Sequence, residues 1–338
     1  MARRMSFQQI IGQEHAVAML QNSLRNRRLS HAYLFSGPAG TGKRRTAECF
    51  IQAIYCTERE DDACGQCAEC RKVAHGNHPG VRIIEPDGQW IKIEQIRNLQ
   101  KDFAYRSSGN QPRVYMIVHA DRMTAEAANS LLKFLEEPSD DVVAILISDN
   151  GQAVLPTLKS RSMPVPFAPL APQRILEALV REGCPEHLAR PASHIVSGLD
   201  AARELVQSNW FAELRNEMIQ LMKECFTHPA KASLAIQQYM KKDEGSDHTD
   251  ILLDLLMLWF KDMIHILTGR RERLVYADQA DWLAGQALTR DVSHWIACME
   301  TVLETRKRLR TPVSPQLLLE QCLFRLIRQG TDPRGALA

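Results

Sequence analysis

The stretch GPAGTGKRRT, Gly37 to Thr46, constrains this chain more than any other. It follows an apolar run, AYLFSG (32–37), and opens a helical pattern, RRTAECFIQAIY. Gly37, Gly42 and Lys43 fit G-x-x-x-x-G-K, a spacing that works only between a buried strand and a helix. Its glycines let backbone N–H groups wrap an anion, the helix start adds positive potential, and the lysine reaches terminal phosphates. The segment therefore predicts a phosphate-binding loop built on Gly37, Gly40, Gly42 and Lys43, with ATP or ADP as the ligand class. The same residues also suit an ancestral turn that no longer binds anything, so occupancy stays open.

The next position breaks the pattern. A hydrolytic loop carries Ser or Thr there to hold magnesium, and this chain has Arg44. Thr46 cannot stand in, because two residues along a helix is a turn of roughly 200° and points to the opposite face. Magnesium binding is not expected. The second half of such a site is an acidic pair at a strand end, one carboxylate for the metal and one for water. In VYMIVHADRM the apolar run from Val114 continues through Val118 to His119, and the first carboxylate is Asp121. Asp121 reads as a cap for the helix AEAANSLLKFLEE or its preceding turn, and His119 as structural. With both elements missing, the chain is not expected to be an ATPase.

AYLFSG, VRIIEP (81–86), VYMIVH (114–119) and VVAILIS (142–148) read as buried strands alternating with helices. That alternation predicts a parallel sheet covered on both faces. Within the helix ANSLLKFLEEP, Ala128, Leu131, Leu132 and Leu135 share an apolar face; Asn129, Lys133, Glu136 and Glu137 lie on the exposed side, and Pro138 is the stop. Pro164, Pro166, Pro169 and Pro172 then mark a hinge or strand end, after which only helical patterns follow. The expected architecture is an α/β P-loop module over 1–168, a small helical unit over 169–207 and a longer helical one over 208–330. Residues 331–338 read as a frayed tail.

Composition excludes some classes. With 338 residues and 45% hydrophobic content, a sizeable core is available, and a formal charge of +2 does not describe a chain that coats nucleic acid by itself. MARRMSFQQIIGQ has no apolar run of signal-peptide length. ILLDLLMLWF (251–260) is too short to span a bilayer and is interrupted by Asp254. A soluble cytoplasmic protein is expected, and in that setting nine cysteines point to thiols or a metal. Cys56, Cys64, Cys67 and Cys70 form C-x7-C-x2-C-x2-C, which suits a tetrahedral structural zinc with no open coordination position. CGQC alone would also have allowed redox chemistry. His75 and His78 are read as non-ligands; Cys49, Cys184, Cys225, Cys298 and Cys322 as small core residues in helices.

LSHAYLFSGPAGTGK, the cysteine cluster, ANSLLKFLEEP and LKSRS stand in the order and near the spacing found in the clamp-loader subunits of bacterial replication, within the AAA+ group. The chain resembles that family over residues 1 to about 330, most closely in the first 168. TPVSPQLLLEQCLFRLI resembles its C-terminal collar. The active gamma/tau members carry Lys-Thr in the loop and Asp-Glu on the strand. Arg44 and the absent acids are instead similar to the family's non-catalytic, stator-like branch. The resemblance implies an AAA+ module, a helical lid and an oligomerising collar. It also implies a pentameric assembly with gamma/tau and delta subunits, acting on the sliding clamp and primed DNA. It further implies a role for Arg161 in Ser160-Arg161-Ser162, where the family's S-R-C motif presents an arginine to ATP on the neighbouring subunit; Ser162 replaces the cysteine. A second, lid arginine would fall at Arg203. Two other readings are an active gamma/tau-type ATPase with unusual ligands and a AAA-like adaptor outside replication.

Overall fold

The structure is a computed structural model, and it describes residues 5–104, 112–136, 142–227, 248–309, 311 and 313–331. Glu137, the helix stop expected at Pro138 and positions 332–338 of the expected tail lie outside them, while Thr331 ends the last helix. The chain forms two compact units, Met1–Arg174 with Ser197–Ala201, and Ile175–Val196 with Ala202–Ala338.

The first unit is built on five parallel strands: β1 (Ala32–Ser36), β2 (Val81–Ile84), β3 (Arg113–Ile117), β4 (Val142–Ser148) and β5 (Met163–Pro166), in the order β2-β3-β4-β1-β5. The side-chain period of two explains why the three central strands read as apolar throughout: alternate residues enter different cores. Tyr33, Phe35, Val114, Met116, Val143, Ile145 and Ile147 pack with α1 (Glu14–Arg25) and α2 (Lys43–Tyr55). Leu34, Tyr115, Ile117, Ala144 and Leu146 pack on the other face with α4 (Ile93–Ala104), α5 (Ala125–Glu136) and α6 (Pro156–Ser160). A short α3 (Ala68–Ala74) packs on α2.

Two strands depart from expectation. β2 was read as buried on both faces, but it is an edge strand with Arg82 and Ile83 exposed. The proline-rich segment supplies a fifth strand at the opposite edge. Phe167 N–H donates to Ser36 O, so in this register the missing N–H groups of Pro164 and Pro166 fall on the unpaired side, where a strand tolerates proline.

In α5, Ala128, Leu131 and Leu135 are buried as expected, Leu132 only partly, and Asn129, Lys133 and Glu136 are exposed. Asp121 does not cap this helix. Thr124 does, accepting from Ala127 N–H, while the Asp121 carboxylate accepts from Asp149 N–H at 3.3 Å.

The second unit is helical. It comprises most of α7 (Pro172–Arg181) and α9 (Leu199–Gln207), with α8 (Glu186–Ile195), α10 (Asn209–Thr227), α11 (Thr249–Leu267), α12 (Ala280–Ala287), α13 (Val292–Arg308) and α14 (Pro315–Thr331). The greasy segment 251–260 lies in α11, which packs against α8, α10, α12 and α13 and is therefore apolar on almost every side. No helix among the described residues is long and apolar enough to cross a membrane. Gly269, at φ 71°, follows the end of α11, and Arg270 N–H reaches back to His265 O, as a glycine stop requires. Cys225, Cys298 and Cys322 are core residues, as is Cys49 in the first unit. Cys184 is not: it is half-buried in the turn between α7 and α8, where Gly183 at φ 87° has ended the helix.

Two of the three carboxylates of α11, Asp254 and Asp262, tie it to neighbouring elements. Asp254 pairs with Arg306. Asp262 is fully buried and accepts N–H groups from Val275 and Tyr276 at 2.7–3.1 Å, tying the loop after α11 onto the helix. Burial pushes its carboxyl up from 3.8 to about 6, against the pull of those two N–H donors. A carboxyl raised in the folded state binds protons that the unfolded state has lost. Its stabilising contribution is thus complete below about pH 4 and is lost as pH rises through 6. At about 1.4 kcal/mol per unit the change is roughly 3 kcal/mol. Urea titrations of wild type and Asp262→Asn between pH 4 and 7 should show their stability difference drifting by that order; a constant difference would mean the carboxylate is not desolvated.

Candidate functional site

The loop joining β1 to α2 has the backbone that an anion cradle needs. Gly40 and Gly42 sit at φ 76° and 86°, a region that costs other residues strain. Gly37 is packed so closely that an added Cβ would stand 2.2 Å from Phe167 O. Backbone from the start of α9 covers the outer side of the loop: a Cβ on Gly198 would lie 1.7 Å from Gly40 O. Thr46 is fully buried and donates to Gly42 O at 2.9 Å, turned into the core as its helical phase requires.

Lys43 is only 4% exposed and its ammonium is already engaged. It donates to Gly37 O at 2.7 Å and Pro38 O at 2.5 Å, lies 3.4 Å from Thr41 Oγ1, and ion-pairs with Asp149 Oδ1 at 2.9 Å. Asp149 had no place in the sequence reading. It follows β4, and the sheet order puts β4, not β3, beside β1, so the carboxylate that pairs with the lysine stands after β4 rather than after β3. Adjacency in a parallel sheet is a crossover property that no local pattern encodes. His119, left-handed at φ 57° just past β3, contacts the other Asp149 oxygen at 3.2 Å.

Arg44 points away from this cluster. Its guanidinium pairs with Glu48 at 3.0 Å and Glu85 at 2.6 Å. Burial works against its charge, but the two carboxylates outweigh that and hold it above its usual range. With Arg44 turned out to these carboxylates, the position that would carry a metal-binding hydroxyl offers magnesium no ligand. The loop lysine is thus held by one carboxylate and by three neutral acceptors of the loop itself.

The cysteine cluster is a second site. Cys56 ends α2, Cys67 caps the start of α3, Cys70 lies in its first turn, and Cys64 comes from the loop between them. Their sulfurs all lie within 4.8 Å of one another. Gln66 and Cys67 N–H groups point at Cys64 Sγ, at 3.4 and 3.2 Å, and Cys70 N–H points at Cys67 Sγ at 3.4 Å, donors that favour thiolate sulfur. Burial pushes the Cys70 thiol up, so a thiolate there needs a cation beside it. Four sulfurs at this separation fit one tetrahedral metal ion. His78 is occupied elsewhere. Its Nδ1 accepts from Gly80 N–H and its Nε2 faces Glu69 at 3.2 Å, with the ring against Tyr55 at an interplanar angle of 35°. His75 bonds the Arg71 carbonyl.

Arg161 follows α6 with its side chain 36% exposed, paired with Glu136 at 2.7 Å and bonded to Thr157 O. Arg203, in the second unit, forms a two-pronged pair with Glu182 at 2.5 and 2.8 Å.

A family model described as DNA polymerase III, delta subunit, matches residues 12–171, and its C-terminal counterpart matches 209–328. The DNA polymerase III delta prime subunit of Bacillus subtilis is 36% identical over 315 residues, covering 93% of this chain and 96% of that one. The delta prime subunit of Pseudomonas aeruginosa is 29% identical over 314 residues, covering 87% and 90%. The Bacillus subtilis tau subunit is 34% identical over 175 residues, 52% of this chain and 31% of its own length. Among solved structures, a gamma subunit-related protein of Thermotoga maritima aligns over 93% of this chain and 99% of that one, at 16% identity and a TM-score of 0.43.

Proposed function

Because the chain belongs to the family of DNA polymerase III delta prime subunits, we propose that it is the non-catalytic, stator-like member of a clamp loader. In this reading it stands in a pentamer with gamma/tau and delta subunits, which together place the sliding clamp on primed DNA. Residues 1–168 form the AAA+ module, 169–207 the lid and 208–330 the collar that joins the subunits. The chain hydrolyses no ATP itself; Arg161 completes the site of a neighbour. Arg203, tied within its own unit, is given no such role. Cys56, Cys64, Cys67 and Cys70 hold a structural zinc that staples α2 to α3 and takes no part in chemistry.

The observation that carries the reading is Arg44. It fills the position where hydrolysis needs a Ser or Thr hydroxyl, its guanidinium is turned out to Glu48 and Glu85, and β3 ends with no acidic pair to compensate. The test is ATP turnover of a loader reconstituted with delta and gamma/tau subunits, stimulated by clamp and primed DNA, with the isolated chain as a blank. The blank should be silent and the full assembly active. Turnover in the blank would restore the gamma/tau-type reading, and failure to assemble with those subunits would favour an adaptor outside replication.

A further inference from the structure

We propose that Asp149 is the residue that closes the phosphate cradle, and that removing its charge converts residues 37–43 into a site for a polyphosphate nucleotide taken up without magnesium. The cradle is otherwise intact. Two glycines hold the left-handed backbone, the thirteen-residue α2 starts at Lys43, and the lysine points back into the loop. What is missing is a free ammonium. Of its neighbours, Gly37 O, Pro38 O and Thr41 Oγ1 are neutral acceptors belonging to the loop itself, and a phosphate oxygen can replace them. Asp149 differs in kind. It cancels the charge of the buried lysine at 2.9 Å from a side chain that is itself 30% exposed, and it sets a negative group where the incoming phosphate must stand.

Asp149 is not a loosely placed side chain. Its backbone N–H is held by Asp121 Oδ1, its second oxygen faces His119 Nδ1, and the preceding residue, Ser148, is in register with Ser36 at the end of β1. The fold thus delivers the carboxylate to the lysine from two directions. The Gly198 backbone also lies against the loop, at Gly40 O, as Phe167 does at Gly37. Arg44 explains why the ligand comes without magnesium, since the loop offers phosphate donors but no metal ligand.

This rests on the non-catalytic reading only in that no hydrolysis is expected, and the two are separable. Binding of ADP and of inorganic pyrophosphate to the full chain is measured by calorimetry in magnesium-free buffer, for wild type, Asp149→Asn and Asp149→Asn with Lys43→Met. Wild type should show no saturation below millimolar ligand. Asp149→Asn should bind at least about tenfold more tightly, some 1.4 kcal/mol, and Lys43→Met should abolish the gain. Melting temperature and metal content establish that each variant is folded, and Asp149→Ser carries the same comparison if the asparagine variant is not. Wild type binding as tightly as the variant, a folded variant with no gain, or a gain that survives loss of Lys43 overturns the proposal. ATP turnover by any of these samples would count against the non-catalytic reading and leave this one standing.

Discussion

Arg161→Ala is expected to abolish ATP turnover at the one interface it serves, by roughly 10³–10⁵ at that site, while the reconstituted loader still assembles. An arginine acting across an interface supplies planar donors to charge that develops only as the phosphoryl group transfers, so its removal leaves binding and assembly largely intact. Arg161 follows a five-residue helix, keeps about a third of its side chain exposed, and is held by Glu136 rather than by the core. The Glu136 pair must be exchanged for the neighbour's phosphate, and an exposed pair of this kind is worth at most about 1 kcal/mol, so the exchange costs little. Arg161→Lys should fail almost as badly, because a point charge does not reproduce the fork. Single-turnover hydrolysis, read interface by interface, checks this. Unchanged turnover in an intact assembly would make Arg161 ordinary surface and the chain purely architectural.

Loss of the metal should be the largest effect on stability. Structural zinc sites of four sulfurs contribute on the order of 10 kcal/mol to the folding of the segment that carries them. Here that segment runs from the end of α2 through α3, joined to the N-terminal turn by Asp62, which accepts from Ser6 Oγ and from Phe7 and Ala63 N–H. Cys67→Ser should therefore lose the ion and melt well below wild type, and a strong chelator should do the same to the native chain. Metal analysis of the purified protein, with thermal melts before and after chelation, is the measurement. A full complement of free thiols with an unchanged melt would sink the zinc assignment. Recovery of Cys64 and Cys67 as a disulfide would bring back redox chemistry.

Local features were legible wherever their cause is local. The strand–loop–helix context of Gly37–Lys43, the cysteine spacing and the apolar face of α5 each depend on residues within a few turns of one another. Where causes were distant, the reading slipped. Pro164 and Pro166 read as a hinge or strand end rather than as strand interior, because their tolerance depends on being at an edge. Cys184 looked like core because helical patterns flank it. Asp121 looked like a cap because Thr124, three residues later, is an equally good one.

The largest omission was Asp149, and its cause marks the division. By itself the sequence determined that a G-x-x-x-x-G-K loop stands between a strand and a helix, that the usual metal ligand and acidic pair are missing, that four cysteines suit one metal, and that an apolar α/β module is followed by helices. Those conclusions need only residue chemistry and spacing. Tertiary structure alone decided which strand stands beside β1, and hence that the loop lysine meets a carboxylate from β4 while His119, just past β3, reaches the same carboxylate. Strand order is a property of crossovers between segments more than a hundred residues apart, and the energy of that ion pair depends on burial that no local window contains.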